Sequence, residues 1–182
     1  VTLPSTLTTI GAQAFTGSGI RSIELPDGVT VIGNYAFQNC IALQSIDLGE
    51  SLVTIGSYAF QNCTGLTFVE LPDTVETIKT LAFQNCANLA SITYPVSLKT
   101  VEDAFGAGIF SGCTALKSVI VPEGVTALPD NIFYQAEALE SVTLPSTLTT
   151  IGAQAFTGSG IQSIELPDGV TAIGNYAFQN CT

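Results

Sequence analysis

The sequence predicts a β-rich α/β repeat: a solenoid with a parallel strand sheet on one face and short helical turns opposite. Three observations predict it. An Ala-Phe dipeptide or its variant recurs at Phe15, Phe37, Phe60, Phe83, Phe110, Phe133, Phe156 and Phe178, with spacings of 22, 23, 23, 27, 23, 23 and 22 residues. A Leu-Pro station keeps the same phase at Leu3-Pro4, Leu25-Pro26, Leu71-Pro72, Leu144-Pro145 and Leu166-Pro167, with variants at Leu48-Gly49, Tyr94-Pro95 and Val121-Pro122. Apolar and polar residues alternate ahead of each station. A fixed period of this length marks stacked repeats. It covers residues 1–182, so the chain reads as a single array of about eight turns of 22–27 residues, with no second domain or linker.

Each repeat is justified piece by piece. In Leu43-Gln44-Ser45-Ile46-Asp47-Leu48, apolar Ile46 and Leu48 flank Asp47, which must point outward. That period-two alternation predicts a short strand. Pro followed by Asp-Gly or Glu-Gly, as in Pro26-Asp27-Gly28 and Pro122-Glu123-Gly124, is a turn signal. The β-branched run Val29-Thr30-Val31-Ile32 predicts a second extended piece. After Gly33, the spacing of Ala36, Phe37 and Cys40 predicts a turn or two of helix. One repeat cannot bury its apolar face alone. Stacked repeats can, with strands paired in parallel ~4.8 Å apart and ladders of like residues inside.

The regularity has informative breaks. The long repeat, around residues 97–120, carries four extra residues between Val101 and Cys113 and predicts a local bulge opposite the main sheet. The repeats with Phe15-Thr16-Gly17-Ser18-Gly19-Ile20 and its copy at Phe156–Ile161 are one residue shorter. Residues 1–40 and 142–181 differ only at Arg21/Gln162 and Val31/Ala172. Both ends fall inside a repeat, and no basic-then-apolar leader precedes it. The segment is therefore expected to be a slice of a longer array.

Composition narrows the functional classes. Charged residues make up 10% of the chain, with fifteen acids and four bases (Arg21, Lys79, Lys99, Lys117), a net charge of -11, and no His, Met or Trp. An ordinary soluble domain carries about 25% charged residues. Absence of His removes the Ser-His-Asp triad, the Cys-His pair and imidazole ligation. Four scattered bases exclude nucleic acid as a partner and give no attraction to anionic membranes. No apolar run approaches the ~18 residues of a membrane span.

The skeleton L-x-S-I-x-L-P…V-T-x-I-G-x-x-A-F-x-x-C resembles the BspA-like leucine-rich repeats, also called Treponema-type, over the whole chain. It differs from better-known leucine-rich repeats in lacking an Asn ladder after the strand. The resemblance implies a right-handed leucine-rich-repeat solenoid. It also implies a cell-surface or secreted protein of bacteria or some protists, adhesion to host matrix proteins or other cells, and no shared catalytic site.

Candidate sites follow from stacking. Cys40, Cys63, Cys86, Cys113 and Cys181 fall one per repeat. A sixth slot holds Ala136 and the short repeats lack the residue, so these are expected to be free, buried core thiols and not disulfides or metal ligands. The outward strand slot places Glu24, Asp47 and Glu70 in a carboxylate column beside Asp27, Glu50 and Asp73. The column could recruit a cation such as Ca²⁺ or a basic partner; a solvated face with turn-forming Asp is the plainer alternative. Phe68 stands where six repeats have Ser, and Ile120 where others have an acid or Thr; both should face outward. With Arg21 and Lys117 they complete the candidate partner-binding set: Arg21, Glu24, Asp47, Phe68, Glu70, Lys117 and Ile120. A Thr row (Thr9, Thr54, Thr77, Thr100, Thr150) is too broken for ice binding. Paired acids without an aromatic cleft argue against glycoside hydrolysis. The expected function is a non-enzymatic, cofactor-free interaction module with a protein or glycan partner; the alternative is a spacer array presenting another domain.

Overall fold

The computed structural model of the chain describes residues 1–102 and 108–182. Fourteen short strands follow in chain order: β1 Thr9–Ile10, β2 Ser22–Glu24, β3 Val31–Ile32, β4 Ser45–Asp47, β5 Thr54–Ile55, β6 Phe68–Val69, β7 Thr77–Ile78, β8 Ser91–Ile92, β9 Thr100–Val101, β10 Ser118–Ile120, β11 Ala127–Leu128, β12 Ser141–Thr143, β13 Thr150–Ile151 and β14 Ala172–Ile173. They fall into two rows. The first is a parallel sheet β1-β3-β5-β7-β9 followed by β11-β13-β14; the second consists of the parallel pairs β2-β4, β6-β8 and β10-β12. Crossovers between parallel strands wind right-handed.

Alternation explains the strands. In β2, Ser22 and Glu24 are exposed and Ile23 is buried. The chain then turns through Pro26, whose carbonyl accepts the Val29 N–H at 2.9 Å. The first row continues with its inward residue in register: Ile10 against Ile32, Ile55, Ile78 and Val101.

The short helical turns expected opposite the sheet are not there; among the described residues no helix forms. A third hydrogen-bonded row takes their place. The N–H groups of Tyr35, Phe37 and Asn39 donate to the carbonyls of Ser57, Ala59 and Gln61 in the next turn, each at 2.8 Å. The intervening Ala36, Gln38 and Cys40 donate locally to Gly33, Tyr35 and Phe37. Tyr35 (φ 60°) and Asn39 (φ 59°) are left-handed, which breaks any i→i+4 ladder and aims alternate amides along the solenoid. The slot of Asn39 is filled by Asn62, Asn85 and Asn180, by Gly17, Gly112 and Gly158, and once by Gln135, all with positive φ. Asn and Gly are the residues that tolerate that conformation.

Side chains stack with the backbone. Phe37, Phe60, Phe83, Phe110, Phe133 and Phe156 are fully buried. The rings from Phe15 to Phe83 stand 5.1, 5.3 and 5.2 Å apart and within 8° of parallel. Beside them run two amide ladders, Gln38–Gln61–Gln84 and Asn39–Asn62–Asn85. An Asn ladder therefore exists, after the Phe station and not after the strand. One continuous apolar core joins the Phe ladder to the inward residues of the strand rows. The bulge expected in the long repeat falls on residues outside those described.

Candidate interaction face

The second strand row carries the face. Pairing sets Ser22 opposite Ser45 and Glu24 opposite Asp47. It sets Phe68 opposite Ser91, and Ile120 opposite Thr143. Phe68 is 45% exposed and Ile120 69%. The strands β4 and β6 are not hydrogen-bonded to each other. At that interruption lies an open concavity of about 770 Å³, lined by Glu24, Asp27, Asp47, Glu50, Phe68 and Glu70 among others.

The electrostatics of this concavity follow from where the bases go. Lys79 pairs with Glu102 at 3.2 Å, Lys99 with Glu76 at 2.7 Å, and Lys117 with Glu140 at 2.8 Å. Among the described residues no ion pair reaches the carboxylate column. Of its members, Asp47 accepts the Gly49 N–H at 2.9 Å and Asp73 the Val96 N–H at 3.3 Å. The acids rise one per turn, and among the described residues no three metal-type ligands converge.

The candidate residues thus separate. Glu24, Asp47, Phe68 and Glu70 line one concavity. Arg21 is exposed just ahead of β2, and its carbonyl accepts the Gln44 N–H at 2.8 Å. Lys117 holds the same slot ahead of β10, accepting from Glu140 at 2.9 Å. Lys117 and Ile120 lie outside the concavity.

Cys40, Cys63, Cys86 and Cys113 are buried in the core, and Cys181 is half-buried against it. All five are free thiols. Each donates to the carbonyl of a Phe in the preceding turn: Cys40 to Phe15, Cys63 to Phe37, Cys86 to Phe60, Cys113 to Phe83 and Cys181 to Phe156, at 3.0–3.2 Å. Burial pushes Cys63 and Cys113 up to about 12 and raises Cys86 well above the usual thiol value. Sequence reasoning missed one detail: the short repeats do fill the slot. Ser159 is buried there with its N–H on Phe156, as Cys40 N–H is on Phe37, and Ser18 repeats this on Phe15.

A leucine-rich-repeat solenoid is the class these ladders define. The family profile described as BspA type leucine rich repeat region matches residues 1–106 and 103–182, in six copies. The chain belongs to the BspA-type leucine-rich-repeat family. Among solved structures it resembles the Treponema pallidum leucine-rich repeat protein (TM-score 0.69, 29% identity, 86% of this chain and 74% of that one). It also resembles a leucine-rich repeat protein from Bacteroides ovatus (0.54, 25%, 98% and 63%). A third is a leucine-rich cell surface protein from Faecalibacterium prausnitzii (0.51, 27%, 100% and 56%). The chain spans less than two thirds of the latter two proteins. No curated protein is significantly similar in sequence. Leucine-rich-repeat proteins are in general non-enzymatic and bind proteins. Among the described residues no helix is long and apolar enough to cross a membrane.

Proposed function

We infer that this array is a protein-interaction module of a cell-surface or secreted bacterial protein, acting in adhesion, and that its contact face is the concavity on the second strand row. One observation carries the assignment: Glu24, Asp47 and Glu70 line the same concavity as the exposed Phe68, and among the described residues no base pairs with them. Uncompensated carboxylates around an aromatic anchor suit a partner with a basic surface and an apolar pocket. The surface location is supported by the family and by the description of the Faecalibacterium relative as a cell surface protein. Arg21, Lys117 and Ile120 extend the same strand face beyond the concavity.

The test is capture from a mixture of host matrix and cell-surface proteins, by the unmodified chain and by a Phe68→Ser, Glu24→Gln, Asp47→Asn, Glu70→Gln variant. Loss of a partner in the variant, and weakening of capture with added salt, supports the contact face. Unchanged capture removes it. A spacer role is the second reading, favoured by the near-identity of 1–40 and 142–181, since copying whole blocks lengthens an array without building a site. Under that reading the four substitutions are silent.

A further inference from the structure

The strand face changes character along its length, and the change is abrupt. Two columns of slots run through the turns: the outward slot of the second strand row, and the slot after the Pro station. In the turns of Glu24, Asp47 and Glu70 both columns are acidic, with Asp27, Glu50 and Asp73 in the second. In the next turn the same two slots hold Thr93 and Val96. The following two turns hold Ile120 with Glu123, then Thr143 with Ser146.

The polar groups of this second stretch are engaged within the chain. The Thr93 hydroxyl is turned back onto the Leu71 N–H at 2.8 Å. The Glu123 carboxylate accepts the Ser146 N–H at 2.9 Å and the Ser146 hydroxyl at 3.0 Å. Lys117, at the edge of the face, pairs with Glu140 at 2.8 Å. The side chains left to a partner are apolar: Ile120 is 69% exposed and Val96 39%. An acidic stretch around the exposed Phe68, with Arg21 as the base at its edge, is thus followed along the axis by an apolar one.

Spacing decides which kind of chain can use both stretches. Pairing sets Glu24 opposite Asp47, so the carboxylates rise by about one strand spacing per turn, ~4.8 Å. An α-helix laid along the solenoid axis presents a side chain to one face every ~5.4 Å. Over two steps the mismatch is about 1 Å, within the reach of a Lys or Arg side chain. An extended strand repeats its face every ~6.7 Å and drifts by about 4 Å over the same two steps. A polyproline helix repeats every ~9.3 Å and meets only every second carboxylate. From Glu24 to Ile120 the solenoid rises through roughly 19 Å, which about 13 helical residues span.

We propose that the occupant of the strand face is an amphipathic helix of a partner protein, lying along the solenoid axis, with Lys or Arg once per turn over one half and apolar residues over the other. The basic half faces the acid columns and packs an apolar side chain on Phe68. The apolar half covers Val96 and Ile120. This rests on the reading of the strand face as the contact surface, and it adds the shape, length and order of what that surface holds. Neither half is selective alone, because many basic segments suit carboxylates and many apolar ones suit Ile120. The boundary between Glu70 and Ile120 fixes the register, since a shifted helix sets Leu against carboxylates and Lys against Ile120.

Titration of the full chain with fluorescent synthetic peptides, followed by anisotropy at low salt, tests it. The first probe is a helical peptide of about 18 residues with Lys once per turn in one half and Leu once per turn in the other, made in both orders. The second has the same composition with Lys and Leu at alternate positions, as on one face of a strand. The better of the two helical orders should bind about tenfold more tightly than the alternating peptide, or better. A Val96→Ser, Ile120→Ser variant should bind that helical peptide about tenfold more weakly and an all-Lys peptide unchanged. Equal binding of the helical and alternating peptides overturns the proposal, as does no binding of either, or binding that ignores the Val96 and Ile120 substitutions. The contact surface itself survives those outcomes if Glu24→Gln, Asp47→Asn, Glu70→Gln weakens capture of a basic peptide or partner. Binding that ignores the acid substitutions too removes the contact surface, and the helix with it.

Discussion

The thiol of Cys63 donates to the carbonyl of Phe37 at 3.1 Å, while the same carbonyl accepts the Cys40 N–H at 3.1 Å. The cysteine column is thus a line of small donors that fasten the turns carrying them to the aromatic ladder of the turn before. Cys63→Ala removes that donor and leaves a small void. It should destabilise the array by about 1–2 kcal/mol, measured as a shift in urea midpoint. Cys63→Ser keeps a small donor in the slot and should cost clearly less. Equal losses in the two variants would show that the bond contributes nothing.

The same burial fixes how the thiols respond to alkali. Cys63 and Cys113 are pushed from the ordinary value of 9 up to about 12, chiefly because burial penalises the thiolate. The folded chain therefore holds these protons more tightly than the unfolded chain. Their contribution to stability is complete below about pH 9 and is lost as pH rises from 9 toward 12. At pH 8.5 a water-soluble alkylating reagent should leave both residues unmodified until denaturant unfolds the chain. Rapid modification under native conditions would contradict their burial.

Glu123 gives the opposite sign. Its carboxyl lies below the ordinary 4.5 because the Ser146 N–H and then the Ser146 hydroxyl hydrogen-bond to the carboxylate. A depressed folded value contributes stability above the unfolded value and loses it as pH falls through the folded one. Ser146→Ala removes the hydroxyl at 3.0 Å and leaves the N–H at 2.9 Å. Glu123 should then titrate part of the way back toward 4.5 in a carboxyl-carbon NMR titration. The stability difference between the two chains should vanish in acid below the folded value. A Glu123 curve unmoved by the substitution would remove the hydroxyl from the account.

Much of this fold was legible in the sequence because the strand rows are governed by alternation. Ile23 and Leu25 face the core, and Glu24 between them faces water. The third row was not legible by the same rule. Ala36, Phe37 and Cys40 share one side of a helix as readily as one side of a turn, and apolar spacing cannot separate the two. The distinguishing signal was the polar residue between them: a slot shared by Asn39, Asn62 and Asn85 with Gly17, Gly112 and Gly158 marks a left-handed backbone. Burial also depends on neighbours as much as on residue type. Ile32 is fully buried because it lies in register between Ile10 and Ile55 of the neighbouring turns.

The contact face makes a prediction about stability as well as binding. Glu24 lies directly opposite Asp47 on paired strands, both exposed. Like charges directly opposite on paired strands are destabilising, by an amount on the order of 0.2–1 kcal/mol. Glu24→Gln should therefore stabilise the array by that order at low salt while weakening capture of a basic partner. The stability gain should shrink at about 1 M salt, where the screening length falls to about 3 Å. A gain in stability paired with a loss of binding is the pattern of a column kept for its charge and not for its fold. No stability change at low salt would mean the two carboxylates are too well solvated to repel. Unchanged capture would place the contact elsewhere on the strand face.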